Sequence, residues 1–335
     1  MLSELWDWIG ENAAQLGIVV PLATAITFGG WALYKHFNQD SDTIDALNTA
    51  LHRYEKQLVA SELSIEERET KIEELSGALE QLSDIVEAGG LLAKDARALL
   101  DSFVEDPNNP DLLGQFDTLI QRYEEGSVAE LISLYLGRGA LSFDSDSQGA
   151  LAAYTRVTQL DPNHMEAHNS RGHLLSRLGQ MDEAEAAYSR VLELAKIEED
   201  EAYKAAAWVN RGNIASTRGE LDEAEQLYRQ ALEIYEVLDI KKGMAAIYGN
   251  LGNLAEKRGN LDEAETLYRQ ALEINEELDR KEGMAANHGN LGNLAEKRGQ
   301  LDEARANWER ARDLFAEIGM QHMVDRVQGS LDALD

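Results

Sequence analysis

The sequence predicts an all-α chain: a solenoid of helix–turn–helix hairpins, preceded by a helical segment and a single membrane-crossing helix. Two observations carry the solenoid. Residues 243–275 read GMAAIYGNLGNLAEKRGNLDEAETLYRQALEIN, residues 283–307 repeat them as GMAANHGNLGNLAEKRGQLDEARAN, and a drifted copy, WVNRGNIASTRGELDEAEQLYRQALEIY, fills residues 208–235, so one unit recurs every 40 residues. Within a unit, apolar and small residues recur at helical spacing on both sides of a Gly: Leu251, Leu254 and Ala255 before Gly259, then Ala264, Leu267, Tyr268, Ala271 and Leu272 after it. The third observation is a stretch without Asp, Glu, Lys or Arg between Asn12 and Tyr34, which predicts the membrane helix.

Within that stretch, residues 17–34 are apolar and about long enough to span a hydrocarbon core of about 30 Å. Trp6, Trp8, Trp31 and Tyr34 stand near its ends as an interfacial belt would. Residues 1–38 are read as a single-pass anchor; a buried hairpin or oligomer-core helix, which Pro21 and Gly29–Gly30 tolerate, is the alternative. The N-terminal flank carries Glu4, Asp7 and Glu11, whereas Lys35, Arg53 and Lys56 follow the apolar run, so the positive-inside rule leaves the C-terminal region in the cytoplasm.

From residue 43 to 88 the apolar residues fall into heptads. Ile44, Leu51, Leu58, Ile65, Ile72, Leu79 and Val86 stand seven apart, with Leu47, Tyr54, Leu75 and Leu82 on the alternate seam. A coiled coil and self-association follow from that stripe. Ser61 and Arg68 interrupt it, and Ser64-Ile-Glu-Glu67 has capping-box spacing, so a folded-back helical hairpin is the alternative. Residues 89–130 are read as degenerate helical pairs, divided at Asp106-Pro-Asn-Asn-Pro110.

In the hairpins, Gly179, Gly219, Gly259 and Gly299 stand where a left-handed C-cap is needed. Asp182, Asp222 and Asp262 follow, each with Glu three residues on (Glu185, Glu225, Glu265), the spacing of a capping box; Arg305 breaks it in the last copy.

At these residues the chain resembles the tetratricopeptide repeat (TPR) family. With repeats starting at Leu131, Met165, Ala205, Ala245 and Ala285, the family's small residue at position eight is Gly172, Gly212, Gly252 and Gly292. Its Ala at position twenty is Ala150, Ala184, Ala224, Ala264 and Ala304, and its aromatic at twenty-four is Tyr154, Tyr188, Tyr228, Tyr268 and Trp308. The 40-residue period is similar to that of kinesin light chains and the LGN/Pins adaptors. Arg138, Arg171 and Arg211 depart from the family pattern. The resemblance implies a right-handed TPR superhelix of five repeats over residues 131–318; the amphipathic run Val324–Leu334 makes residues 319–335 a C-terminal cap over the last repeat's open face.

A formal charge of −31 argues against nucleic acid as a partner, since that requires a basic field. The absence of Cys excludes disulfides and thiolate metal sites. His164, His168 and His173 lie close in sequence, but the repeat register sends them in different directions, so neither a metal nor another cofactor is expected. No nucleophile–base pattern points to an enzyme.

What remains is a surface. The resemblance places positions two, five, six, nine and thirteen of each first helix on the concave face. There stand Asn210, Asn250 and Asn290 at six, Asn213, Asn253 and Asn293 at nine, and Arg177, Lys257 and Lys297 at thirteen. Asn is a mediocre helix former, so six in register call for a reason. Either recent duplication carried them along, or they hold the backbone of an extended peptide, donating to its C=O and accepting from its N–H. The expected function is a membrane-anchored adaptor that binds an unidentified protein partner in this groove; the alternative is a self-assembling homo-oligomer at the membrane.

Overall fold

The computed structural model describes residues 41–59, 61, 63, 65–88, 93–122 and 128–334. Among them are fifteen α-helices: α1 (Ser41–Leu58), α2 (Ile65–Ala88), α3 (Ala93–Glu105), α4 (Asp111–Arg122), α5 (Val128–Ser142), α6 (Ser147–Leu160), α7 (Met165–Arg177), α8 (Met181–Glu198), α9 (Glu201–Arg218), α10 (Leu221–Val237), α11 (Lys241–Lys257), α12 (Leu261–Glu277), α13 (Lys281–Lys297), α14 (Leu301–Glu317) and α15 (Gln321–Asp332). They form two compact units that divide after Leu174, inside α7.

The expectation of a membrane localisation is corrected: among the described residues no helix is long and apolar enough to cross a membrane. The longest described helix, α2, has 24 residues but carries Glu, Lys and Arg along its length, and each such charge is costly in hydrocarbon. Residues 17–34, on which that expectation rests, lie outside the described residues.

In the first unit the heptad stripe is carried by two helices, since α1 stops at Leu58 and α2 starts at Ile65. Leu47, Leu51, Tyr54, Leu58, Ile72, Leu75, Leu79 and Leu82 are all buried in one core with Leu99, Phe103, Phe116 and Leu134. These seam residues therefore serve a core within one chain. Helix α2 packs on α1, α3 and α5 and is enclosed on nearly every side.

That enclosure buries charge. Lys71 and Glu74, 2% and 0% exposed at their side chains, pair at 2.8 Å. The Lys71 Nζ also donates to the Tyr154 hydroxyl (2.7 Å) and Ser170 Oγ (3.2 Å), and lies 4.2 Å from the centre of the Phe143 ring. Glu74 accepts from Ser170 at 2.6 Å and from the Tyr154 hydroxyl. Burial, and then the nearby Glu74 and Glu73 carboxylates, push the Glu166 carboxyl up to about 8.

In the second unit the hairpins α9–α10, α11–α12 and α13–α14 follow one another, and α15 packs on α14. Gly179, Gly219, Gly259 and Gly299 all have positive φ, between 73° and 82°, as a left-handed cap requires. Gly212 and Gly252 face Tyr228 and Tyr268, where an added Cβ would stand 2.6 Å from each ring. Val327 and Leu331 of α15 are buried, closing the last hairpin as a terminal cap does.

The capping boxes are not formed. The N-cap residues are Gln180, Glu220, Asn260 and Gln300, none with a side-chain cap bond, and the Asp residues lie inside the first turn. Each Asp–Glu pair instead accepts the guanidinium of the next hairpin. Arg218 reaches Asp182 and Glu185, both at 2.6 Å; Arg298 reaches Asp262 and Glu265, both at 2.5 Å; Arg258 joins Asp222 and Glu225 in the same way. A planar guanidinium fits two carboxylates side by side, which explains why the spacing persists without capping.

Candidate functional site

The first helices α9, α11 and α13 bring part of the expected groove together. A cleft of about 390 Å³ is lined by Asn213, Ser216, Thr217, Tyr228, Asn250, Asn253, Glu256, Lys257 and Lys297. Five of the nine expected site residues are among them.

The position-nine asparagines have a structural task as well. Asn213 and Asn253 each accept the hydroxyl of the aromatic on the following helix, Tyr228 and Tyr268, at 2.7 Å. Asn293 accepts the indole N–H of Trp308 at 3.0 Å. Burial holds both tyrosine hydroxyls well above their ordinary pKa, so they remain donors. Asn250 donates to Asn213 at 3.3 Å, linking two repeats across the cleft floor.

The cations are arranged one repeat back. Lys257 Nζ donates to the Ser216 hydroxyl at 2.9 Å and to its carbonyl at 3.2 Å. Lys297 pairs with Glu256 at 2.5 Å while staying 54% exposed, and Glu256 also accepts the Tyr268 hydroxyl at 2.7 Å. The cleft therefore carries two Lys against one Glu in a strongly acidic chain.

Four expected residues stand outside the cleft. Asn210 is buried, 5% exposed, one turn beyond Ala207, where α8 packs on α9 through Val191 and Leu192. Asn290 is half-buried, and Arg177 and Asn293 are exposed. Sequence reasoning missed Ser216, Thr217 and Glu256, which occupy the last turns of the first helices; the spacing of Ser216 and Glu256, one period apart, was the available signal.

The histidines are engaged separately. His164 Nδ1 accepts the Ala167 N–H at 3.2 Å, with burial lowering its pKa, and His168 Nε2 donates to the Pro162 carbonyl at 3.1 Å. His173 Nδ1 lies 4.0 Å from Glu67. Among the described residues no group of three or more His, Asp or Glu is placed to hold a metal ion.

A tetratricopeptide repeat profile matches residues 164–236 and 243–318. No curated protein matches the chain. Among solved structures it is similar to the Rap conjugation gene regulator of plasmid pLS20 in complex with the Phr* peptide, at 17% identity over 75% of this chain and 77% of that one, with a TM-score of 0.54. It is also similar to BtubC (BKLC) from P. vanneervenii, at 23% identity, 68% and 90% coverage and a TM-score of 0.43. A Podosopora anserina putative kinesin light chain with nearly identical TPR-like repeats gives 19%, 63%, 98% and 0.37 in the same order. At these identities the pLS20 regulator shares the fold.

Proposed function

Since residues 164–236 and 243–318 match the tetratricopeptide repeat family, we propose that the chain is a protein-binding adaptor that holds a segment of a partner protein against α9, α11 and α13. The observation that carries this is the cleft between Asn213 and Lys297, whose side chains offer both donors and acceptors. A solenoid that presents successive first helices along one face suits a partner that is read over several repeats. The regulator of plasmid pLS20, solved with a peptide, supports the same reading.

The charge of the cleft gives the partner's chemistry. Two Lys in an acidic chain select a segment with carboxylates, which would compete with Glu256 for Lys297 and take Lys257 from Ser216. Such binding weakens with salt, because both cations are solvent-exposed.

The test compares the chain with an Asn250→Ala/Lys257→Ala variant, both immobilised and offered an array of acidic and neutral peptides. Acidic peptides should bind the unmodified chain and lose about 1–3 kcal/mol on the variant, from lost hydrogen bonds and charge. Equal retention by both proteins would remove the cleft as the binding site.

A further inference from the structure

Helix α2 lies along α5 and reaches the inner side of the first two repeats at Tyr154, Ser170 and His173. Tyr154 holds the same repeat position as Tyr228, whose hydroxyl reaches Asn213 on the cleft. No Asn stands there in the first repeat: Gly139 meets the Tyr154 ring, an added Cβ being 2.8 Å from it, and the next residue is Ala140. The Tyr154 hydroxyl turns to Glu74 and Lys71 instead. Ser170, at the repeat position of Asn250, donates to Glu74, and His173, at that of Asn253, faces Glu67. Ala78 lies so close to Gly137 that a Cβ on Gly137 would collide with it.

Glu67, Lys71, Glu74 and Ala78 are four, three and four residues apart, so they form one stripe of a helix. That stripe meets the repeat positions that line an open cleft in later repeats. An ion pair buried this deeply contributes little net stability, because desolvation offsets its attraction, yet a helix offering only one of the two charges is strongly disfavoured. The pair acts as a selector more than as an adhesive.

We propose that the inner face of α5, α6 and α7 is a helix-binding surface that α2 occupies in cis. The partner it fits is a helix that presents Lys and Glu three residues apart on its buried side, with a small residue four further on. Such a helix from a second protein displaces α2 and takes over Tyr154 and Ser170.

Two measurements test this. Hydrogen exchange on the unmodified protein should show the amides of residues 68–85 opening together, about tenfold or more faster than those of α5–α7. A synthetic peptide of residues 67–86 should bind a Glu74→Lys chain, whose own α2 is disfavoured by two adjacent Lys, about tenfold or more tighter than the unmodified chain, in line with a coupling near 1.4 kcal/mol. The same peptide carrying Lys71→Glu should bind neither. Equal exchange of α2 and α5–α7 would overturn the proposal whether or not Glu74→Lys folds, and so would equal peptide binding by the two chains.

Discussion

Trp308 gives its indole N–H to Asn293 at 3.0 Å, at the place where Tyr228 and Tyr268 give their hydroxyls to Asn213 and Asn253. A ring of different size and donor chemistry thus reaches the same acceptor. The position-nine Asn fastens the two helices of each hairpin, so part of the Asn ladder has an internal reason to persist.

Asn293→Ala should therefore destabilise the last hairpin by about 1–2 kcal/mol, leaving the Trp308 N–H without its acceptor. Asn290→Ala, one turn earlier on the same helix, should cost less than about 0.5 kcal/mol. Guanidinium unfolding followed by circular dichroism separates the two; equal costs would deny the Asn293 bond its role.

Arg298→Gln removes the fork to Asp262, which is fully exposed, and Glu265, which is half-buried. The expected loss is about 0.5–1 kcal/mol at low salt, shrinking at high salt. The Arg298 hydrogen bond, followed by that of Arg269, holds the Glu265 carboxyl below its usual range. A depressed acid stabilises the fold above its unfolded pKa, and that stability is lost as pH falls through the folded value. The variant should accordingly lose less stability than the unmodified protein on acidification, as read from melting temperatures between pH 7 and 3.

Glu166 behaves in the opposite sense. Its carboxyl is raised to about 8 in the fold, so the folded state holds a proton that the unfolded chain releases near its ordinary value. Stability tied to it is full below the unfolded pKa and drains away as pH rises to about 8. Glu166→Gln should flatten that decline. Parallel pH–stability curves for the two proteins would contradict it.

Lys71→Met strands Glu74 in the core with only Tyr154 and Ser170 as donors. A cost of about 3–5 kcal/mol is expected, while Lys71→Met with Glu74→Met should recover much of it. Chemical unfolding of the three proteins decides; additive losses would mean that the charges do not act as a pair.

The hairpins were legible because duplication keeps residues 40 apart nearly identical, and because Gly at positive φ has few substitutes. The Arg forks were not legible. Asp and Glu three apart near a helix start satisfy a local rule, and the Arg that binds them lies 33 to 36 residues on. Helix α2 is a similar case: its heptads alone suit either a second chain or a folded-back hairpin, and its buried Lys71 and Glu74, besides pairing with each other, reach Tyr154 and Ser170, 80 or more residues away. Within the candidate cleft, Asn213, Asn250, Asn253, Lys257 and Lys297 could be read from the repeat register. Asn210 could not, since its burial depends on how α8 packs on α9.

The Arg forks all point backward along the chain, and Arg305 stands where the final copy would need the receiving Glu. Because giver and receiver recur once per 40 residues, a whole unit copied into the stretch between Arg218 and Arg298 arrives with both halves of its fastening. Gaining or losing one whole such unit would therefore lengthen or shorten the protein without breaking a joint. A unit appended after the last copy would instead bring its Arg to Arg305, a like charge in place of the receiving Glu.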